Sequence, residues 1–250
     1  MNYSQIPVKL IELESVDSTN NYIAKKVLTG DLIPGTVVLA EKQTEARGQR
    51  GTKWQSLAGL NSTSSVFLTW KDIKVREQFK ISMLVAIGVC RFLRNFNIEA
   101  EIKWPNDIYV QTKKIAGILI ENQLKGDYIS SSVTGIGLNV NQEVFEEGLS
   151  ATSIIIETGK KENVRLFTMQ LYQEIGRTIE QYHQYPFEWI ERTYSGFLKG
   201  FDEAVTAIWI QKQEEIKIQI TAILPDGRIK ALVNETDYKL FDLKELKFIF

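Results

Sequence analysis

The spacing of apolar positions divides the chain into two textures. Val8–Leu13 reads as a short strand. Asp17-Ser18-Thr19-Asn20 offers helix caps ahead of Tyr22, Ile23, Ala24, Val27 and Leu28, and Gly30 with Asp31 closes that helix. After the Pro34-Gly35 turn, the β-branched run Thr36–Ala40 leads into a polar loop, Glu41–Gly51, and Ser65–Trp70 predicts another strand. Glu77–Leu93 is apolar on most sides, with Lys80, Arg91 and Arg94 close together at about 100° per residue, which predicts a buried helix with a thin wet stripe. From Ile98 to Glu121 the pattern is strand, turn, strand, turn, strand, broken at Pro105-Asn106-Asp107 and Gln111–Lys114. Ile129–Val133 starts a further strand that runs into Gly135-Ile136-Gly137. Val164, Phe167, Leu171, Ile175, Ile179 and Tyr182 recur at steps of three or four, an amphipathic helix with Thr178 on its wet face. Beyond about Gly200 the runs become short and β-like: Ala204–Trp209, Glu215–Leu224, Ile229–Val233 and Tyr238–Leu240, with a hairpin signal at Pro225-Asp226-Gly227-Arg228. Consecutive short strands predict a small barrel. The chain therefore reads as α+β over residues 1–197, followed by an all-β unit over 198–250.

Composition narrows the chemistry. The 250 residues carry 30 basic and 31 acidic side chains, so no global charge excess attracts nucleic acid or anionic lipid. Cys90 and His183 stand alone in their types, which excludes a disulfide framework, cysteine-rich metal sites and multi-histidine sites. Cys90 falls on the most apolar helix and reads as a core residue; His183 ends a long helix, where a cation complements the dipole. The first residues lack a signal peptide's basic and apolar regions, and no apolar run is long enough to span a bilayer, so the expectation is a soluble cytoplasmic protein without a membrane partner. Lysine, arginine, carboxylates and backbone amides must carry any catalysis.

Three constellations supply those groups. Ala46-Arg47-Gly48-Gln49-Arg50-Gly51-Thr52-Lys53-Trp54 combines glycines that admit close backbone approach, cations that grip phosphate, and an indole that stacks on a base. The same composition also describes a solvated basic hairpin tip. Lys103-Trp104-Pro105-Asn106-Asp107 and then Lys113-Lys114-Ile115-Ala116-Gly117 place a lysine at a strand start, a turn, and lysines on a hairpin. Such an arrangement sets cations and a carboxylate around one point, with Asp107 suited to Mg²⁺ bridged to phosphates. It equally suits an ordinary turn with exposed lysines. Gly135-Ile136-Gly137-Leu138-Asn139-Val140-Asn141 puts glycines at a strand end, for a ligand or for a bulge.

Taken together and in this order, these motifs resemble those of the biotin–protein ligases, or biotin–[acetyl-CoA-carboxylase] ligases, from Ser18 to about Asn141. Ser18-Thr19-Asn20 matches the family's S-T-N. Ala46–Gly51 with Trp54 matches G-R-G-R-x-G…W, and Lys103–Asp107 is its K-W-P-N-D in full. Lys114 through Glu121 matches K-[LI]-x-G-I-L-x-E, and Gly135–Asn141 matches G-x-G-[LI]-N-x-N. The resemblance implies a core of mixed β-sheet flanked by helices, like that of class II synthetases, with a small C-terminal SH3-like barrel. It implies an ATP- and Mg²⁺-dependent enzyme that joins biotin to AMP and then to a lysine of a biotin carboxyl carrier protein, in acetyl-CoA carboxylase or another biotin-dependent carboxylase. Lys114 and Arg47 would be catalytic. Ser18, Thr19, Gln43, Gly117, Leu119, Gly135 and Gly137 would meet biotin. Gly48, Gln49, Arg50, Gly51, Trp54, Lys103, Asn106 and Asn139 would serve ATP, and Asp107 the Mg²⁺.

Three departures matter. Ala46 replaces the loop's first glycine and Gln49 an arginine whose charge would help to retain the intermediate, so release of biotinyl-AMP is expected to be faster than in arginine-bearing relatives. Asn61-Ser62-Thr63-Ser64-Ser65 is more polar than the family's N-L-x-x-S, which bears on the biotin-side wall. Only 17 residues precede Ser18, too few for the helix-turn-helix domain of some members, so no DNA binding is expected. An edge strand would serve a homodimer, and nothing in the sequence singles one out. The rival readings are a lipoate–protein ligase and a non-catalytic binder of biotin or nucleotide.

Overall fold

The computed structural model describes residues 1–48, 54–182, 185, 187–243 and 245–249. The first part of the chain supplies β1 (Lys9–Val16), α1 (Thr19–Leu28), β2 (Thr36–Gln43), β3 (Ser62–Thr69) and α2 (Phe79–Arg94). The hairpins β4 (Ala100–Lys103), β5 (Asp107–Val110), β6 (Lys113–Lys125) and β7 (Tyr128–Leu138) follow, then α3 (Ile154–Thr158), α4 (Val164–Tyr182) and α5 (Phe187–Ser195). The seven strands form one sheet in the order β1-β2-β3-β7-β6-β5-β4. Only β1 and β2 run parallel among the neighbours, joined by the α1 crossover. The sheet is therefore mixed and flanked by helices, as the family resemblance implies.

Alternation along the strands explains the two layers. Val38, Phe67 and Val133 project to one face and pack with Ile23 of α1. Their neighbours Val37, Val66 and Leu68 project to the other, into the main core with α2 and α4. Twelve of the sixteen α2 residues are buried, leaving Ser82 and, on the predicted thin stripe, Lys80, Arg91 and Arg94. Cys90 is fully enclosed there, and burial pushes its thiol well above the ordinary range, which fits a core residue. Thr178 corrects the sequence reading: it is buried. Helix α4 is covered both by α2 and by the N-terminal turn Tyr3–Gln5, so its wet face is narrower than its hydropathy suggests.

The C-terminal strands β8 (Ala204–Trp209), β9 (Glu214–Ile223), β10 (Ile229–Val233), β11 (Asp237–Phe241) and β12 (Leu246–Ile249) form an antiparallel sheet in the order β11-β10-β9-β8-β12. It docks on the preceding part of the chain through specific bonds: Trp104 Nε1, in the turn after β4, donates to Gly227 O at 2.9 Å, and Phe79 N, at the start of α2, to Pro225 O at 3.2 Å. The free edge of β4 is covered by a bridge from Ile102 to Leu198. Helices α3 and α5 and strand β12 are absent from the sequence reading; α3 and β12 span one turn and four residues, too short for periodicity to register. Among the described residues no helix is long and apolar enough to cross a membrane.

Candidate active site

A cavity of about 490 Å³ opens where the ends of β2, β3, β7, β6, β5 and β4 meet the N-terminus of α1 and the edge of β12. Following the strand order across the sheet, its character changes from neutral to charged.

The neutral end is built from α1, β2 and β3. Ser18 occupies the N-cap position of α1 with extended backbone, but its hydroxyl makes no cap hydrogen bond. Gln43, the last residue of β2, supplies the acceptor instead: Thr19 N donates to Gln43 Oε1 at 2.7 Å. The capping therefore comes across the cavity from the sheet, and the Ser18 hydroxyl is not spent on it. Thr19 Oγ1 lies 2.6 Å from Ser65 Oγ, which donates to Asn20 Oδ1 at 2.6 Å. The even-numbered neighbours on β3 point the other way. Ser64 and Ser62 bond to each other at 3.0 Å, and they reach Tyr172 OH at 3.2 Å and Thr168 Oγ1 at 2.8 Å on α4. The unusual polarity of this strand is thus answered partly by hydroxyls on α4, while Ser64 lines the cavity together with Ser65.

The charged end gathers Lys103, Asp107 and Lys114. Lys103 stands at the end of β4, not at a strand start as the sequence reading had it, because Trp104–Asn106 form the turn and Asp107 begins β5. Lys114 Nζ pairs with Asp107 Oδ1 at 2.6 Å. The Lys114 backbone is pinned by Ser150 and Thr152, its N donating to Ser150 O at 2.9 Å and its O accepting from Thr152 N at 3.0 Å. Lys103 Nζ lies 3.2 Å from Tyr109 OH and over that ring. Burial holds its pKa below the ordinary lysine value; Asp107 opposes this, and Lys114 and Lys247 add to it. Burial, with Asp107, pushes the Tyr109 phenol up to about 12. Lys247 of β12 also lines the cavity, with Ile210, Leu243, Leu246 and Phe248.

Between the two ends, Gly117, Leu119, Gly135 and Gly137 line the wall. Trp54 lies against two of these glycines: a Cβ on Gly137 would collide with its indole, and one on Gly117 would meet Cζ3 at 3.2 Å. Lys114 Nζ sits 5.5 Å from the Trp54 ring centroid. The indole Nε1 is buried without a hydrogen-bond partner. Arg47 donates to Asn21 Oδ1 and lies 3.6 Å from Glu121.

Two expected residues are spent on structure. Asn106 lines the cavity, but its Nδ2 donates to Ile118 O at 2.9 Å. Asn139 is buried outside the lining, donating to Thr152 O at 2.9 Å, with its Oδ1 unpartnered. Gly48 lines the cavity, whereas Gln49, Arg50, Gly51 and His183 lie outside the described residues.

The sequence pattern of the Biotin/lipoate A/B protein ligase family matches residues 12–139, just over half of the chain, including both ends of this cavity. The chain belongs to this family. It is 35% identical over 153 residues to the bifunctional ligase/repressor BirA of Bacillus spizizenii, covering 59% of this chain and 47% of that protein. Against BirA of Escherichia coli it is 31% identical over 176 residues, 69% of this chain and 54% of the other. The chain thus spans about half the length of the curated relatives it matches. The fold is that of the Aquifex aeolicus biotin protein ligase solved with biotin and ATP, with a TM-score of 0.77 at 24% identity over 96% of this chain and 98% of that one.

For this member of the Biotin/lipoate A/B protein ligase family, sequence reasoning missed two groups of residues in or beside the cavity. Asn20 and Glu121 sit in quoted motifs without a role, although Asn20 is 3% exposed and fully bonded. Ile210, Leu243, Leu246, Lys247 and Phe248 lie beyond the family match, and only the short alternation Leu246-Lys247-Phe248 hints at their strand.

Proposed function

We propose that this chain attaches biotin to a lysine of a carrier protein in two steps, with residues 1–197 as the catalytic domain and 198–250 as a C-terminal domain that completes the cavity. The observation that carries this reading is the single cavity with a neutral hydroxyl–amide end and, across the sheet, a cationic end. The ureido ring of biotin is neutral and hydrogen-bonding, so it suits Ser18, Thr19 and Gln43. Its carboxylate then extends along Gly117, Leu119, Gly135 and Gly137 toward Lys114. A lipoate dithiolane ring would offer no partner to the Ser18 hydroxyl, which is not spent on capping α1, and that costs affinity.

In the first step a carboxylate oxygen of biotin attacks the α-phosphate of ATP, the bond to the β-phosphate bridge breaks, and pyrophosphate leaves. Negative charge grows on the α-phosphate, and Lys114 and Arg47 face it as preorganised cations. Lys103 adds charge on the nucleotide side, and Trp54 offers an indole face to the base. In the second step a carrier lysine amine attacks the acyl carbonyl and loses a proton, and AMP leaves. No protein nucleophile is needed, in keeping with a buried Cys90. Asp107 is the one carboxylate among the described lining residues and is already paired with Lys114. No group of three or more metal-binding side chains converges among the described residues. This donor set does not fit a resident metal, and Mg²⁺ is written here as part of the substrate MgATP. The carrier is a biotin carboxyl carrier domain such as that of acetyl-CoA carboxylase, a partner named for the Mycobacterium tuberculosis relative that is 32% identical over 142 residues.

The test is ATP-dependent transfer to a purified carrier domain read by avidin blot, with lipoate in parallel and Lys114→Ala beside wild type. Biotin transfer that needs ATP and collapses in the variant supports the reading. Transfer of lipoate alone, or biotin binding with no transfer, overturns it.

A further inference from the structure

Glu121 closes the motif run of β6 and has no part in the reading above. Its two oxygens face two different elements. Oε2 accepts from Asn20 Nδ2 at 2.7 Å, and Oε1 lies 3.6 Å from Arg47 Nη2. The Arg47 guanidinium also donates to Asn21 Oδ1, so it is held between α1 and β6. Glu121 and Arg47 are each nearly half exposed, and such a pair on free side chains contributes little. Here the carboxylate is not free. Asn20 is 3% exposed, accepts from Ser65 Oγ at 2.6 Å, and also reaches Leu119 O at 3.4 Å. A Cβ on Gly135 would run into Asn20 Oδ1, so that glycine is what allows Asn20 this seat. The result is one unbroken polar path, Thr19–Ser65–Asn20–Glu121–Arg47, from the neutral end of the cavity to the guanidinium.

We propose that Glu121 is a positioning residue that seats Arg47 beside the cavity, and that Asn20 ties this seat to the neutral end. Occupancy of the neutral end and placement of Arg47 are then coupled, and loss of the Glu121 charge loosens Arg47 without touching the substrate. The kinetic part of this inference rests on the function proposed above; the structural part does not.

Two measurements on Glu121→Gln, Arg47→Ala and the double variant test it. In the first, ligand-free wild type and Glu121→Gln are treated with trypsin, and cleavage of the Arg47–Gly48 bond is followed by mass spectrometry. The expected result is cleavage about two- to fivefold faster in Glu121→Gln, the range set by one exposed ion pair, with an unchanged melting temperature. In the second, acyl-adenylate is formed from biotin and ATP without a carrier, and its release is timed. Release is expected to quicken by a similar factor in Glu121→Gln and to be no faster in the double variant than in Arg47→Ala. Unchanged cleavage at Arg47, or single effects that multiply in the double variant, would overturn the proposal. A wild type that forms no adenylate overturns the function proposed above instead, and the cleavage rates still decide the role of Glu121.

Discussion

The two ends of the cavity are made in different ways. The neutral end comes from α1 and the adjoining ends of β2 and β3, and its groups bond to one another: Thr19 to Gln43 and Ser65, Ser65 to Asn20. The charged end is drawn from β4, β5, β6 and β12, in both sheets, and three lysines line it beside one carboxylate, which Lys114 pairs with. A self-bonded neutral site holds its shape without a ligand and selects by hydrogen-bond pattern. A cluster with excess positive charge keeps its cations close, at the cost that burial and like charges impose on Lys103, a potential that the phosphates of the proposed substrate would relieve. Recognition and charge stabilisation are therefore separable, and single substitutions should act on one without the other.

The largest effect is expected from Lys114→Ala. It removes the cation nearest Asp107 and leaves the neutral end intact. The rate of biotin-dependent ATP–pyrophosphate exchange should fall by about a hundred- to a thousandfold, while biotin binding without ATP falls far less. Equal losses in both would mean that the two ends do not act separately. Gly137→Ala comes next, because the new methyl must displace the Trp54 indole at the junction between the ends. Overpacking of this kind costs about 1–3 kcal/mol. The expected outcome is a higher KM for both ATP and biotin together with a changed tryptophan fluorescence; a rise confined to biotin would show that Trp54 does not bridge the two.

Gln43→Ala acts on the neutral end alone. It deletes the acceptor for the first amide of α1, a loss of about 1 kcal/mol by analogy with other caps. Steady-state kinetics should show the KM for biotin rising about fivefold, with the KM for ATP and kcat little changed. A fall in kcat of the same size would place Gln43 in the chemistry of the charged end.

The difference between the ends also governs what could be read from the sequence. Strands β1 to β11 and helices α1, α2 and α4 are legible because each carries its own periodicity. The neutral end is nearly as legible, since Ser18, Thr19 and Asn20 are contiguous and only Gln43 and Ser65 arrive from elsewhere. The charged end is half legible: Lys103 to Asp107 and Lys114 lie within one pair of hairpins, whereas Lys247 comes from a four-residue strand more than a hundred residues away. Asn139 shows a different ambiguity. Its motif suggests a ligand contact, yet its amide is committed to backbone carbonyls, and nothing in a linear pattern separates those two fates. The polar run Ser62–Ser65 is as hard to read, because Ser65 and Ser64 line the cavity while Ser62, and Ser64 too, bond to α4.

That last point carries the smallest predicted effect. Tyr172 is fully buried on α4, and burial raises its phenol well above the ordinary range, so it remains a neutral hydrogen-bond partner. Its bond to Ser64 is long, at 3.2 Å, and Ser64 keeps Ser62 as a second partner. Tyr172→Phe therefore strands no group completely and should destabilise by about 0.5–1.5 kcal/mol, the net worth of one hydrogen bond. For a chain of this size that is a fall of about 2–4 °C in Tm per kcal/mol, measurable by calorimetry. Ser65→Ala, one position away on the same strand, should do the reverse: it cuts the path from Thr19 to Asn20 and raises the KM for biotin. If Tyr172→Phe also moved that KM, the effect would pass through Ser64, which lines the cavity as well as bonding to α4, and the hydroxyls behind β3 would belong to the biotin wall.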